Sequence, residues 1–240
     1  MPEWLTRTEA LIGREAVRTL GEKSVAVLGL GGVGGACAEA LCRGGIGTLI
    51  LIDRDTVAPT DLNRQLLATA ETLGLEKTEA ARRRFASINP DCRILPLAEF
   101  YLPENREILF SHPLDFVVDA VDTVTAKLDL IEACAARGVP LISCMGTGNR
   151  LDPARFVIGD IADTAGCGDG LARVIRRELR RRGIPGQSVL YSTEPPRPVV
   201  VPGGEEHGRH PPASVSFVPP VAGYLLAGHV LRQLAGTEAG

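Results

Sequence analysis

The segment GLGGVGG places Gly29, Gly31, Gly32 and Gly34 directly after an apolar run at residues 25–28. Glycines at that spacing serve three purposes: a tight turn off a strand, close approach of backbone to a phosphate, and close contact between helix and strand. A helix opening there would present unpaired amide hydrogens and a positive dipole end to an anion. Asp53 lies 24 residues beyond Gly29, at the end of a second apolar run, where a carboxylate can accept hydrogen bonds from ribose hydroxyls. These residues are candidate nucleotide contacts, and by themselves they fit NAD as well as ATP.

The chain after Asp53 narrows the chemistry. In a dehydrogenase the second strand soon enters a helix, whereas here the sequence runs DRDTVAPTDLNRQLLATAETLGLEK, polar and punctuated. Asp55, Asn63, Arg64, Gln65 and Lys77 place a carboxylate, amides and two cations in one excursion beside the glycine loop. Arginine offers a planar fork and lysine a point charge, which suit negative charge developing along a phosphate chain. Hydride transfer has no such need. Asp55 also fits a turn-capping role, and Gln65 an ordinary loop position.

Elements must hold these residues in place. The pattern reads strand at 25–28, helix at 35–43, strand at 48–52, helix at 78–87, strand at 93–97, strand at 116–118, helix at 124–137 and strand at 140–144. Such alternation predicts an α/β fold: a Rossmann-like, mostly parallel sheet with helices on both faces. We expect residues 1–148 to form this core and residues 149–240 to form a smaller strand/helix extension of the same domain. The extension contains a strand near 156–161, a basic helix at 171–182, a Pro/Gly-rich loop at 194–212 predicted to be mobile, and a last helix near 220–234.

With 240 residues, 45% hydrophobic, and a net charge of −3, the chain can bury a large core and is not a polycation. Any polyanionic partner must meet a local patch. Six cysteines (Cys37, Cys42, Cys92, Cys134, Cys144 and Cys167) form no C-x-x-C pair and read as reduced thiols. No apolar run reaches the roughly 18 to 20 residues needed to span a bilayer, so a cytoplasmic protein without a stable membrane span is expected.

GLGGVGG, LIDRDTV, the run Asp61-Leu62-Asn63-Arg64-Gln65, GLEK ending at Lys77, SINP at 87–90 and VDAVD at 118–122 resemble the adenylation domain shared by ubiquitin-activating enzymes and their bacterial relatives. The resemblance covers about residues 7–148 and implies binding of ATP with Mg²⁺. A substrate carboxylate would attack the α-phosphate, giving an acyl adenylate and pyrophosphate. It further implies phosphate contacts for the glycine loop, Asn63 and Lys77, a ribose contact for Asp53, and a magnesium-associated role for Asp122. Arg64 matches an arginine that the family resemblance assigns to the neighbouring protomer, which implies a homodimer. Asp119, by contrast, reads as support for a strand end.

Carrier-activating members of that family commonly hold structural zinc on paired C-x-x-C motifs; this chain has none. Instead TRTEALIGREAVRTL near the start, DIADT at 160–164, YSTE at 191–194 and SVSFVPPVAG at 214–223 resemble the subgroup of tRNA threonylcarbamoyladenosine dehydratases. That likeness implies ATP-driven activation of the threonine carboxylate on a modified adenosine in tRNA, and ring closure with net loss of water. The alternative is an adenylyltransferase for the C-terminus of a ubiquitin-like sulfur carrier. A redox or non-catalytic nucleotide-binding protein rests on the glycine loop alone.

A tRNA substrate needs a phosphate-binding surface, and Arg173, Arg176, Arg177, Arg180 and Arg181, with Arg182, supply one on a helix whose apolar stripe is Leu171, Val174, Ile175 and Leu179. Tyr191, Phe217 and Tyr224 are candidates for base stacking. Some members of the subgroup carry a distal-loop cysteine tied to a cysteine desulfurase or sulfur-acceptor system, but no cysteine follows Cys167 here. A sulfur-transfer partner and a monovalent cation stay open. Cys167, between glycines, is a candidate exposed thiol. His207 and His210 alone are too few for a metal site.

Overall fold

A computed structural model describes residues 2–199 and 212–237. The helices α1 (Thr6–Ile12) and α2 (Arg14–Gly21) precede β1 (Ser24–Leu28), α3 (Gly32–Arg43), β2 (Thr48–Ile52), α4 (Lys77–Ala86), β3 (Arg93–Leu97) and the short α5 (Glu107–Phe110). Then come β4 (Phe116–Asp119), α6 (Val124–Arg137), β5 (Leu141–Cys144), β6 (Phe156–Asp160), α7 (Gly170–Arg181), β7 (Ser188–Ser192) and α8 (Val218–Ala235).

The seven strands form one sheet in the order β3-β2-β1-β4-β5-β7-β6. Every pairing is parallel except that of β6 with β7, which is antiparallel. The expected α/β class is therefore the observed one. β1, β2, β4 and β5 are almost wholly buried, as continuous apolar runs must be when helices cover both faces. On one face Leu20, Cys37, Leu41, Phe85, Val218, Leu226 and Val230 pack against alternate strand residues. On the other lie Leu109, Leu130, Ile131, Ile175 and Leu179.

One strand departs from the sequence expectation. The SVLYS run at 188–192 is a buried strand, and it inserts between β5 and β6 so that the extension lengthens the same sheet. Its shortness and the surrounding turn residues masked it. The order also reverses at β1, whose neighbours β2 and β4 leave a crevice at the carboxyl ends of the strands, where doubly wound sheets bind ligands. Most of the loop expected at 194–212 lies outside the described residues, as do His207 and His210.

Candidate nucleotide-binding site

β1 ends at Leu28, and the chain turns at Gly29 with φ 84°, a region that disfavours a side chain. Gly34, one turn into α3, comes so close that a Cβ there would lie 1.7 Å from the Gly29 carbonyl oxygen. Gly34 thus serves helix–strand packing and does not line the cavity, unlike Gly29, Gly31 and Gly32. The hypothetical Cβ of Gly31 would have nothing nearer than Gln65 Nε2 at 3.9 Å, so its backbone is open to a ligand.

The cavity at this turn measures about 410 Å³, within the range of roughly 300–1,000 Å³ usual for small-ligand sites. It crosses the ends of β2, β1 and β4. Asp53 stands at the β2 side, where its Oδ2 accepts from Leu30 N–H at 2.6 Å and its Oδ1 from Asp55 N–H at 2.8 Å. Burial pushes the Asp53 carboxyl above its usual range, while these two amides and Lys77 pull the other way.

Lys77 opens α4 and is buried, with Nζ donating to Asp55 Oδ2 at 3.3 Å and lying 3.9 Å from Asp61 Oδ2. Asp61 is the residue that sequence reasoning passed over. Its carboxylate also accepts from Gln65 Nε2 at 2.6 Å and from Ala58 N–H at 3.1 Å, and it lies 3.6 Å from Arg64 Nη2. It organises the polar excursion, and its place inside the DLNRQ run was the only available signal.

Arg64 lines the cavity of its own chain. The resemblance assigns this arginine to a neighbour's site; within this single chain its carbonyl oxygen lies 3.3 Å from where a Cβ on Gly32 would stand, beside the chain's own glycine loop. The Arg64 Nη1 donates to Thr60 O at 2.8 Å and to Asn63 Oδ1 at 2.9 Å. Asn63 itself is exposed and does not line the cavity, and its Nδ2 donates to Ser214 O at 3.2 Å.

On the β4 side the two aspartates of VDAVD part company. Asp119 is fully buried and paired with Lys127, whereas Asp122 is exposed and lines the cavity. The cavity wall is completed by Arg54, whose guanidinium stacks 4.1 Å from the Phe100 ring, and by Tyr101, which donates to Asp129 at 2.7 Å. Nothing in the sequence pattern marked these three.

The arginine helix starts at Gly170, capped by Asp169, whose carboxylate accepts from Leu171 and Ala172 N–H. Ala172, Ile175 and Leu179 are buried, and Leu171 and Val174 half-buried. The expected arginine surface is uneven. Arg176 is turned inward, donating to the buried Thr164 hydroxyl at 2.6 Å, while Arg177 and Arg181 both pair with Glu178. Arg173 and Arg180 are exposed with no ion pair among the described residues. Of the stacking candidates Tyr191 is buried on β7, while Phe217 and Tyr224 are exposed. Cys167 is buried as well, against the expectation of an exposed thiol.

A doubly wound parallel sheet with a glycine turn at its reversal point and a cation-bearing insert after the second strand defines a nucleotide-binding α/β protein. More narrowly, the chain belongs to the ThiF family, whose model matches residues 5–239. It is similar to the tRNA threonylcarbamoyladenosine dehydratase of Bacillus subtilis, 43% identical over 239 residues that span 95% of this chain and 93% of that protein. The crystal structure of the Escherichia coli tRNA N6-threonylcarbamoyladenosine dehydratase, TcdA, in complex with AMP superposes with a TM-score of 0.87 at 32% identity, covering 96% of this chain and 93% of that one. The same E. coli protein in complex with ATP gives a TM-score of 0.85 at 32% identity, with coverage of 96% and 93%. No helix of the described residues is long and apolar enough to cross a membrane.

Proposed function

We propose that the protein is an ATP-dependent dehydratase of threonylcarbamoyladenosine in tRNA. The carboxylate of the threonine moiety attacks the α-phosphate of ATP and pyrophosphate leaves; an internal nucleophile then attacks the acyl carbon, AMP leaves, and the net change in the nucleoside is loss of one water. The observation that carries the reading is the single cavity with Asp53 at one side and Lys77 and Arg64 at another, in a chain whose likeness to a named dehydratase runs through 95% of its length. That coverage includes the carboxy-terminal segments that separate this subgroup from carrier-activating relatives.

In this reading Asp53 holds the ribose, and the backbone of Gly29, Gly31 and Gly32 meets the phosphates. Lys77 and Arg64 take up charge on the departing pyrophosphate, with most of the rate coming from positioning and electrostatics. Gln65 and Asp55, through Asp61 and Lys77, keep those cations aimed.

Five carboxylates (Asp53, Asp55, Asp61, Glu99 and Asp122) line the cavity against three cations (Arg54, Arg64 and Lys77). A bare polyphosphate would be repelled by that balance, so the residues fit a nucleotide that brings a divalent cation. Asp122 suits such an ion, because its only hydrogen bond among the described residues comes from Thr123 Oγ1 at 3.4 Å. Mg²⁺ would be held through Asp122 plus the nucleotide phosphates, since it commonly binds through one or two carboxylates and substrate phosphates. When bound, Mg²⁺ would neutralise phosphate charge and favour departure of pyrophosphate.

The outward arginines of α7 would meet tRNA phosphates, a role that positions without specifying sequence. We further propose a cytoplasmic protein that forms a homodimer, with the exposed Phe217 at the N-cap of α8 and Tyr224 and Leu225 in its first half supplying contact surface. The deciding experiment incubates the protein with ATP and tRNA bearing threonylcarbamoyladenosine, then examines the nucleosides by mass spectrometry under mild conditions. Loss of one water is expected. If the nucleoside is unchanged while a carrier ending in Gly-Gly stimulates pyrophosphate release, the substrate is a protein and the tRNA assignment is wrong.

A further inference from the structure

Asn149, in the link that leaves β5, has φ 61° and is the one non-glycine residue of positive φ among the described residues. Asparagine enters that region more readily than most residues because its short side chain can bond locally. From this conformation it ties together two distant stretches. Its N–H donates to Ala213 O at 2.8 Å, its Oδ1 accepts from Ala213 N–H at 2.7 Å, and its carbonyl accepts from Arg197 N–H at 2.8 Å. The next residue after Ala213 carries the bond onward, because Ser214 O accepts from Asn63 Nδ2 at 3.2 Å and Asn63 Oδ1 accepts from Arg64 Nη1 at 2.9 Å.

The relay therefore runs from the exit of β5, through the chain entering α8, to an arginine on the nucleotide cavity. Asn63 thus bonds Ser214 with one end of its amide and Arg64 with the other, beside the bond of Arg64 Nη1 to Thr60 O at 2.8 Å. Arg64 needs such support. A long side chain gives up much rotamer freedom when fixed, and reacting groups lose rate steeply when displaced by about 1 Å.

We propose that Asn149 is a positioning residue for Arg64, acting through Ala213, Ser214 and Asn63. The inference rests on the reading of Arg64 as a polyphosphate contact in the cavity of its own chain. It couples the insert after β2 to the carboxy-terminal segment, so that the segments specific to the dehydratase subgroup also set the geometry of the ATP site.

The test uses the full chain, ATP and substrate tRNA, with pyrophosphate release as the readout. Asn149→Gly keeps the positive φ and deletes the Oδ1 acceptor, whereas Asn149→Asp keeps the acceptor. The glycine variant should raise KM for ATP about three- to tenfold, the effect of one hydrogen bond, with kcat changed less. The aspartate variant should stay within about twofold of the parent. In an Arg64→Ala background Asn149→Gly should add less than about twofold, since coupled residues are non-additive. A full effect of Asn149→Gly in that background, or no rescue by Asn149→Asp, overturns the proposal while leaving the role of Arg64 intact. An Arg64→Ala variant with unaltered ATP kinetics overturns the Arg64 reading and the proposal with it. Should Asn149→Gly not fold, Asn63→Ala breaks the same relay at an exposed position and must show the same KM rise and the same non-additivity, or the proposal fails.

Discussion

Lys127 Nζ donates to both carboxylate oxygens of Asp119 at 3.0 Å each, and both side chains are completely buried. The pair ties the end of β4 to α6, with Asp119 three residues before Asp122, and Asp119 Oδ1 also accepts from Val121 N–H at 3.2 Å. It fixes the loop that offers Asp122 to the cavity.

Removing either partner strands a charge in the core. Asp119→Asn and Lys127→Met should each lower unfolding stability by about 3–5 kcal/mol, measured by urea denaturation. The double variant should lose less than the sum, because it leaves no unpaired charge; additive losses would mean that the two side chains do not act as a pair.

Asp122, being exposed, is expected to behave in the opposite way. Asp122→Asn should leave the denaturation midpoint unchanged while lowering pyrophosphate release about a hundredfold or more, the scale on which lost transition-state electrostatics is felt. ATP affinity should shift by less than about tenfold. Unaltered turnover would remove Asp122 from the site.

Arg64 in its own chain's cavity makes a definite prediction for mixed assemblies. When the impaired Arg64→Ala and Asp122→Ala proteins exchange subunits, activity should not rise above that of the separate variants, because every site lacks one of the two residues. Partial recovery, with exchange shown by a tagged subunit, would place the arginine across an interface instead.

Asp53 gives a pH signature. Its folded-state value is raised by burial, above the unfolded value of about 3.9. The fold then binds more protons than the unfolded chain in that window, so this group's contribution is full below the unfolded value and is lost as pH rises through the folded one. Thermal unfolding of Asp53→Asn between pH 3 and 7 should lack that fall; an identical profile in both proteins would show that Asp53 is not strained by burial.

For tRNA, the arginines of α7 should differ. Arg173→Ala and Arg180→Ala should each flatten the dependence of log affinity on log salt by about 0.7–0.9, as expected for one lost phosphate contact. Arg177→Ala should do less, since Glu178 already pairs it, and Arg176→Ala should act through stability by releasing Thr164. Filter binding over a salt series separates these outcomes; equal slopes for all variants would move the tRNA surface elsewhere.

The glycine turn, the Asp53 position, the alternation that makes a parallel sheet and the cation-bearing insert are legible from the order of residues. All of these depend on short-range spacing: a backbone turn, a strand period and a helix start are fixed by neighbours a few residues apart. Even Asp119 was legible as a strand-end residue from its place in VDAVD. The tertiary structure alone decided the relationships between distant residues. It placed SVLYS between β5 and β6, turned Arg176 onto Thr164, buried Tyr191 and Cys167, kept Arg64 over its own glycine loop, and joined Asn63 to Ser214 across 151 positions. Those choices follow from which surfaces meet when the sheet closes under its helices, and no local pattern of residues encodes where a side chain finds a partner that far along the chain.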